Sequence, residues 1–147
     1  MKSLILLTDM TKKAFIFAFD KHKNQVDKAN MPYIYHLLSV ANKQKDEMTT
    51  TIALLHDVLE DTDTTRDELL KLFPSEVIDT VELLTHKEDE DYFVYIKRIC
   101  KNPLARSVKL ADLQNNLDKN RLYKITQKDK ERLRKYRKAI KIIKTSY

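Results

Sequence analysis

Glycine is absent from this chain of 147 residues, and proline occurs only three times. These two residues are the strongest local breakers of regular structure, and glycine is the one that tight turns most often require. A chain with so few breakers, in which Leu, Lys, Ile and Glu are abundant, favours helices. Hydrophobic residues make up 42%, which is enough for one core. We therefore predict an all-α fold in a single compact domain over 1–147.

The chain shows no pattern typical of export or membrane insertion. Its first apolar run, 4–7, is too short for a signal peptide, and Asp9, Lys12 and Lys13 bring charge into the next segment. No stretch approaches the roughly 18 apolar residues of a membrane span. The single cysteine, Cys100, cannot form an internal disulfide, which fits a reducing compartment. We expect a cytoplasmic protein without membrane contacts, and its net charge of +6 suits anionic ligands without naming one.

Hydrophobic spacing and capping residues predict where the helices lie. We expect them over about 3–22, 33–43, 46–60, 65–73, 75–84, 92–100, 103–117 and 126–144. Thr65 with Glu68 matches a capping box, and Thr126 is the predicted cap of the last helix. The residues of the first helix predicted to face the core are Leu4, Leu7, Phe15 and Phe19.

One stretch, ALLHDVLEDTDTT at 53–65, places a histidine and several acids beside apolar residues. Within the predicted helix, Glu60 lies one turn after His56, and Asp61 lies one turn after Asp57. Successive helical residues are about 100° apart, so the imidazole of His56 and the carboxylate of Asp57 can reach one ion between them. Such a pair suits a divalent transition metal. Acids at the C-terminal end of a helix oppose the helix dipole, so a nearby cation would compensate for their placement.

Two ligands are too few for a metal site, and two further polar residues stand within apolar helical segments. His36 lies in YIYHLLSVA, and Asp112 lies in SVKLADLQNNL. A buried carboxylate without a partner is costly, and a bound cation offsets that cost. Together His36, His56, Asp57 and Asp112 would supply two nitrogen and two oxygen ligands. Taken singly, a hydrogen-bonded core histidine at position 36 and an ion pair of Asp112 with Lys109 remain open as alternatives.

The segments PYIYH, HDVLED and VKLADLQNN stand in the order found in the HD-domain hydrolases of the RelA/SpoT type. Over about 15–121, the chain resembles the small stand-alone members of this family. The resemblance implies a helical HD-domain bundle that binds Mn²⁺, or another divalent transition ion such as Fe²⁺. The ligands that the resemblance implies are His36, His56, Asp57 and Asp112.

The resemblance also implies a reaction, since family members remove the 3′-pyrophosphate of guanosine tetraphosphate. Glu60 and Asp61 would position or activate the attacking water. Lys28 would reach a substrate phosphate, and Asn116 would contact the sugar or a phosphate. The chemistry suits these residue types, because a metal lowers the pKa of bound water and a nearby carboxylate takes the proton. The expected partner is a small phosphorylated nucleotide, and the chain has no room for a synthetase domain.

Some positions depart from the family pattern. Asp27 stands where the family has an Arg that stacks on guanine, and a carboxylate neither stacks like a guanidinium nor attracts phosphate. Asn24 and Asn30 replace loop glycines, and asparagine is among the residues that best tolerate left-handed backbone. Leu37 replaces a proline. Asp27 leaves three alternatives open: guanosine tetraphosphate as substrate, a different nucleotide or phosphomonoester, or a nucleotide-sensing module without catalysis.

Other polar features have simpler interpretations. His22 and His86 lie in polar segments and are predicted to be solvated and not to bind metal. The basic C-terminal helix over 126–144 has apolar residues at helical spacing, so a docked amphipathic helix is favoured over a nucleic-acid-binding one. Its apolar positions are Leu133, Tyr136, Ile140 and Ile143. The tyrosines that either flank a base or simply pack are Tyr33, Tyr35 and Tyr123.

Overall fold

Helices form the regular structure of residues 4–118 and 124–147, the parts of the chain that the computed structural model describes. Those parts contain α1 (Asp9–Lys21), α2 (Ile34–Asn42), α3 (Glu47–Leu55), α4 (Val58–Asp61), α5 (Arg66–Leu70), α6 (Ser75–Leu84), α7 (Tyr92–Ile99), α8 (Pro103–Asn116) and α9 (Gln127–Lys144). An antiparallel bridge joins Val26 to Pro32 in the α1–α2 connection. The all-α prediction is confirmed. No helix in the described ranges is both long and apolar enough to cross a membrane.

The central element is α3, which packs against α1, α2, α6 and α8. Asp46 caps its first turn by accepting a hydrogen bond from the Thr49 backbone N–H at 2.7 Å. Every residue from 49 to 55 is buried, so this helix has no solvated face beyond its first turn. A helix that is buried on all sides belongs inside a core. The residues next to its C-terminal end are therefore delivered to the middle of the molecule.

The predicted helix over 46–60 is wrong in one respect, because the structure divides it into α3 and α4. His56 and Asp57 lie between the two, with Asp57 at φ −103° and ψ 0°. The Asp61 N–H still donates to the Asp57 carbonyl at 2.9 Å, so a helical hydrogen bond spans the start of α4. No glycine or proline marks the position, and the break therefore escapes a sequence pattern.

Helix α1 begins later than predicted, at Asp9 instead of near residue 3. Thr8 caps it, since its hydroxyl accepts from the Thr11 N–H while the Thr11 hydroxyl accepts from the Thr8 N–H. The predicted inner face is also wrong: Leu4, Leu7 and Phe19 are exposed. The buried residues are Thr11, Ala14 and Ala18, whose small side chains allow α1 to approach α3 closely. Of the predicted face, Phe15 packs partly against the core.

Helix α9 packs against α7 and α8 at the other end of the chain. As predicted, Thr126 caps it, and a full capping box with Asp129 is present. Leu133, Ala139 and Ile143 are buried, while Tyr136 and Ile140 pack partly against the core. The docked, amphipathic character expected of this helix is thereby observed, and its N-terminal turn lies near the loop that precedes α2.

The connection between α6 and α7 is fastened by one guanidinium. Arg98 donates to both oxygens of the Glu90 carboxylate, at 2.7 and 2.8 Å, and to the Thr85 carbonyl at 3.1 Å. His86, within this connection, pairs its Nε2 with the Glu90 carbonyl and stacks against Tyr95, with 4.7 Å between ring centroids. The prediction that His86 is solvated is therefore wrong, since its ring is half-buried. These Arg98 contacts, the Arg98 clamp, hold the connection in place. The backbone N–H of His86 in this connection donates to Glu60 of α4.

Glu90→Gln tests this clamp through the pH dependence of stability. Hydrogen bonds from Arg98 lower the pKa of Glu90 from 4.5 to about 2. A carboxyl with a depressed native pKa stabilises the fold above its unfolded pKa and loses this contribution as pH falls towards the native one. We expect Glu90→Gln to lower the free energy of unfolding at neutral pH. The difference from wild type should shrink between pH 4.5 and about 2.

Urea denaturation at a series of pH values measures this difference, with Glu88→Gln as the matched control. Glu88 is an exposed glutamate of the same connection, so its substitution should change little. A difference between wild type and Glu90→Gln that stays constant down to the lowest pH would contradict an ionic role for Glu90.

Candidate metal centre and active site

Four polar side chains from three parts of the fold meet at the end of the central helix. His36 comes from α2, His56 and Asp57 from the break after α3, and Asp112 from α8. One potential ligand atom from each lies within 4.8 Å of the others. His36, His56 and Asp112 are buried, and Asp57 is half-buried. Two imidazole nitrogens and two carboxylates in one buried cluster form a donor set suited to a divalent transition ion.

The distances within this cluster leave space for an ion among the four groups. His36 Nε2 lies 2.9 Å from Asp112 Oδ1 and 3.9 Å from Asp57 Oδ2. His56 Nε2 lies 3.1 Å from Asp57 Oδ2 and 3.4 Å from Asp112 Oδ1. Although it is buried, His56 Nε2 lacks a hydrogen-bond partner of acceptable geometry among the described residues. A buried polar atom without a protein partner is typical of a metal ligand.

The other nitrogen of each imidazole is held from behind. His36 Nδ1 lies 2.6 Å from Asn115 Oδ1, and His56 Nδ1 lies 2.6 Å from the Ala53 carbonyl oxygen. Both partners are acceptors, so each Nδ1 carries the proton. In the neutral rings, Nε2 then presents its lone pair to the cluster, which is the tautomer that a metal ligand needs.

The charges in the cluster call for a positive group. Burial lowers the pKa of His56, but the carboxylates of Asp57 and Asp112 outweigh it and raise that pKa well above its usual range. The cluster therefore stabilises a cation at Nε2, whether a proton or a metal. Asp112 also receives the Lys109 ammonium on Oδ2 at 2.9 Å. The ion pair considered from sequence is thus present, and it leaves Oδ1 facing both histidines.

Tyr33 holds Asp57, the half-buried member of the cluster, in place. Its hydroxyl donates to Asp57 Oδ2 at 2.6 Å, and the ring of His22 packs on it with 5.2 Å between centroids. Burial raises the pKa of Tyr33 far above its ordinary value, so it remains a donor. Of the other tyrosines considered from sequence, Tyr35 is 59% exposed, and Tyr123 lies outside the described residues.

The acids Glu60 and Asp61 lie on α4 beside Asp57, with carboxylate oxygens of all three within 4.8 Å of one another. Glu60 accepts a hydrogen bond from the His86 backbone N–H at 2.7 Å, which fixes it through the clamped α6–α7 connection. Asp61 is exposed at its surface, but partial desolvation of its carboxyl, together with the charges of Asp57 and Glu60, raises its pKa to about 6. A carboxyl that titrates near neutral pH is suited to accepting a proton from water.

A chain of contacts from α1 supports the end of α4. Gln25 donates from Nε2 to the Asp61 carbonyl at 2.9 Å, and its Oε1 lies 2.8 Å from His22 Nδ1. His22 is buried, so the prediction of a solvated side chain is wrong. Its polar neighbours in the sequence hide this role. The only available signal is the spacing of His22 and Gln25, three residues apart at the end of a helix.

A pocket of about 450 Å³ opens over the cluster. It brings Lys28 and Asn116, the predicted substrate contacts, to the same space as Asp57, Glu60 and Asp112. Asn116 also donates to Asp112 Oδ1 at 3.2 Å. The full lining is Val26, Asp27, Lys28, Tyr33, Asp57, Glu60, Asp61, Lys109, Asp112, Asn116, Asp129, Arg132, Leu133 and Tyr136.

Several lining residues escape prediction from the sequence. The sequence suggests Lys109 only as a partner of Asp112, and it suggests the first half of α9 only as part of a docked helix with a solvated face. Asp129, Arg132 and Tyr136 stand at successive spacings of three and four, and they share the face of α9 that closes the pocket. That spacing is the available signal. This spacing shows that the three residues share one face of α9, but only the way in which α9 docks shows that this face lines the pocket.

Asp27 serves the loop that carries Lys28. Its Oδ1 accepts hydrogen bonds from the Ala29 N–H at 2.8 Å and the Met31 N–H at 3.0 Å. Asn30 adopts φ 62°, the left-handed conformation expected of a residue in a glycine's place. Asn24 does not, because Asn30 is the one residue with positive φ in the described ranges. A carboxylate at position 27 therefore shapes the turn that a glycine-free loop has to make.

Comparisons with known proteins find curated relatives of this chain. A GTP pyrophosphokinase of Brucella melitensis is 37% identical over 123 residues, which cover 74% of this chain and 16% of the relative. A guanosine-3′,5′-bis(diphosphate) 3′-pyrophosphohydrolase of Aquifex aeolicus is 36% identical over 118 residues, covering 72% and 17%. This chain thus spans about a sixth of the length of these curated relatives. No family model matches it.

A solved structure extends the similarity to the whole fold. It belongs to a metazoan ortholog of SpoT described as hydrolysing ppGpp, with a TM-score of 0.77 and 25% identity. The similarity covers 94% of this chain and 86% of that one. Shared sequence, shared helical architecture and the His–Asp cluster together establish that this chain belongs to the HD-domain proteins of the RelA/SpoT family.

Proposed function

We propose that this protein is a metal-dependent phosphohydrolase that removes the 3′-pyrophosphate of guanosine tetraphosphate. The observation that carries the proposal is one pocket over the His–Asp cluster, lined by the two carboxylates of the cluster, by Glu60 and Asp61, and by three basic side chains. Metal ligands alone would fit a structural site. Acids placed to handle water and cations placed to meet phosphate favour hydrolysis of a phosphoester. The choice of substrate follows the names of those relatives described above that hydrolyse guanosine tetraphosphate (ppGpp).

The proposed ligands are the two histidines and two aspartates of the cluster, with Mn²⁺ as the first candidate ion and Fe²⁺ as the alternative. When bound, such an ion lowers the pKa of a water molecule and polarises a phosphoryl oxygen. Tyr33 holds the carboxylate of Asp57, and Asn115 and the Ala53 carbonyl orient the two imidazoles. These supports keep the ligand atoms in place before the ion arrives, which favours affinity.

The remaining groups have separate tasks in the proposed reaction. Asp61 takes a proton from the attacking water, and Glu60, fixed by the His86 N–H, orients that water. Lys28 and Arg132 meet the phosphate charge, and Asn116 contacts the sugar. Water oxygen bonds to the phosphorus attached to the ribose, and the bond from phosphorus to the 3′ oxygen breaks. The products are pyrophosphate and guanosine diphosphate, whose 3′ oxygen gains the proton.

A second candidate substrate class has its own support. Asp27 lines the pocket at the position where the resemblance expects an arginine to stack on guanine. The Asp27 carboxylate is anionic and accepts hydrogen bonds from the Ala29 and Met31 N–H groups. It therefore cannot stack on a base as the flat, cationic guanidinium of an arginine does. A nucleotide with a different base, or another phosphomonoester, fits the same reaction chemistry. A sensing module without catalysis is the remaining alternative.

Metal binding can be tested without any substrate. A ligand that binds the native state alone stabilises it by about 2.7 kcal/mol at a hundredfold excess over Kd. We expect Mn²⁺ to raise the Tm of metal-free protein, and we expect His36→Gln and Asp112→Asn to abolish the increase. His86→Gln, a histidine outside the cluster, should retain it. An equal increase in the cluster variants would show that the ion binds elsewhere.

Turnover tests the reaction and the roles of the two acids. Metal-loaded protein should release pyrophosphate from guanosine tetraphosphate, measured beside other 3′-phosphorylated nucleotides and simple phosphomonoesters. Asp61→Asn and Glu60→Gln should each lower kcat by about 10²-fold or more, the range of general acid–base catalysis. Both should keep the Mn²⁺-induced rise in Tm, because neither belongs to the cluster of four ligands.

Asp63→Asn is the matched control, because Asp63 is an exposed acid two residues beyond Asp61 and contacts Lys21. It should leave kcat unchanged. Turnover of another nucleotide in preference to guanosine tetraphosphate would favour the second candidate substrate class. Metal-loaded protein that turns over no member of the panel would leave the sensing module as the better account.

A further inference from the structure

The side chain of Asp129 lies at the rim of the pocket, 2% exposed, with both oxygens engaged. Oδ2 accepts from the Thr126 N–H and hydroxyl, each at 3.0 Å, which forms the capping box of α9. Oδ1 receives the ammonium of Lys28 and, at 3.5 Å, Arg132 Nη1. Each oxygen thus has a separate set of partners, one within the helix turn and one in the pocket.

Capping alone does not account for a charged residue here. A capping box needs an acceptor oxygen three residues after the cap, and an amide oxygen supplies it as well as a carboxylate does. The charge is used on the other side, where Lys28 holds the pKa of Asp129 well below its ordinary range. Asp129 is therefore an anion at neutral pH, and it is directed at two cations of the pocket.

Those cations are the groups available to phosphate. Of the described lining residues, the basic ones are Lys28, Lys109 and Arg132. Lys109 is taken by Asp112, and Asp129 contacts the other two. A carboxylate oxygen and a phosphate oxygen make the same kind of charge-assisted bond to an ammonium or a guanidinium. Asp129 thus occupies the contact that an incoming phosphate would make.

We propose that Asp129 determines specificity by standing in for a substrate phosphate at Lys28 and Arg132. A phosphate that approaches Lys28 competes with this carboxylate for the ammonium, so its apparent affinity is lowered by the ion pair. The effect applies to ligands whose phosphate reaches Lys28 and not to those that enter the pocket without one. The inference rests on the proposed function only in assigning phosphate binding to Lys28.

The test is the affinity of metal-loaded protein for inorganic phosphate, measured by calorimetry, before and after Asp129→Asn. Asparagine keeps an acceptor for the capping box and removes the charge. We expect phosphate to bind about two- to fivefold more tightly, the range that a partly exposed ion pair supports. The affinity for guanosine, which has no phosphate, should not change. Asp129→Gln, which matches the usual capping-box residue, serves as a second variant if the asparagine variant folds poorly.

Two comparisons separate this role from others. Glu131→Gln removes an equal charge from the exposed side of α9 and should leave phosphate affinity unchanged. In a Lys28→Ala background, Asp129→Asn should lose most of its effect, because the two residues act on each other. Unchanged or weaker phosphate binding by Asp129→Asn would overturn the proposal and make Asp129 a residue that merely positions Lys28.

Turnover provides the independent readout. If wild type hydrolyses guanosine tetraphosphate and Asp129→Asn gains no phosphate affinity, the inference fails while the proposed function stands. If phosphate binds more tightly to the variant while no nucleotide is hydrolysed, the inference stands and the proposed reaction fails. Where both hold, the KM of the phosphorylated substrate should fall by the same factor as the phosphate affinity rises.

Discussion

Two carboxylates and two imidazoles are buried together at the end of the central helix, and much of the surrounding structure serves to make that burial tolerable. An uncompensated buried charge is expensive, so each member of the cluster is supported from outside it. Lys109 neutralises one oxygen of Asp112, and Tyr33 donates to Asp57. Backbone and amide oxygens hold the two Nδ1 atoms. The carboxylates of the cluster favour a positive charge at its centre, which a divalent ion would supply.

Much of this arrangement can be predicted from the sequence. The scarcity of glycine and proline indicates helices, and polar residues within apolar helical segments point to His36 and Asp112. Those signals are local, because burial leaves its mark on the residues around a buried group. The break at His56 and Asp57 leaves no such mark, since ordinary residues occupy it. The inner face of α1 differs from the prediction because Ala14 and Ala18 pack closely where large aromatic residues are expected.

The features that escape prediction are contacts between distant segments. Lys28 and Asp129 are separated by 101 positions, and neither residue suggests the other. His22 looks solvated from its polar sequence neighbours, yet it is buried and contacts Gln25 and Tyr33. The periodicity of α9 predicts that it docks but not which face closes the pocket. Spacing along one helix is fixed by geometry, whereas the pairing of helices depends on the whole core.

The position of α9 in the chain has a consequence for the order in which the site is assembled during synthesis. The four cluster residues are all translated before position 113, directly after α3 or on helices that pack against it. The face that carries Asp129, Arg132 and Tyr136 leaves the ribosome afterwards. A nascent chain can therefore bring these four residues together while the pocket over them still lacks one wall.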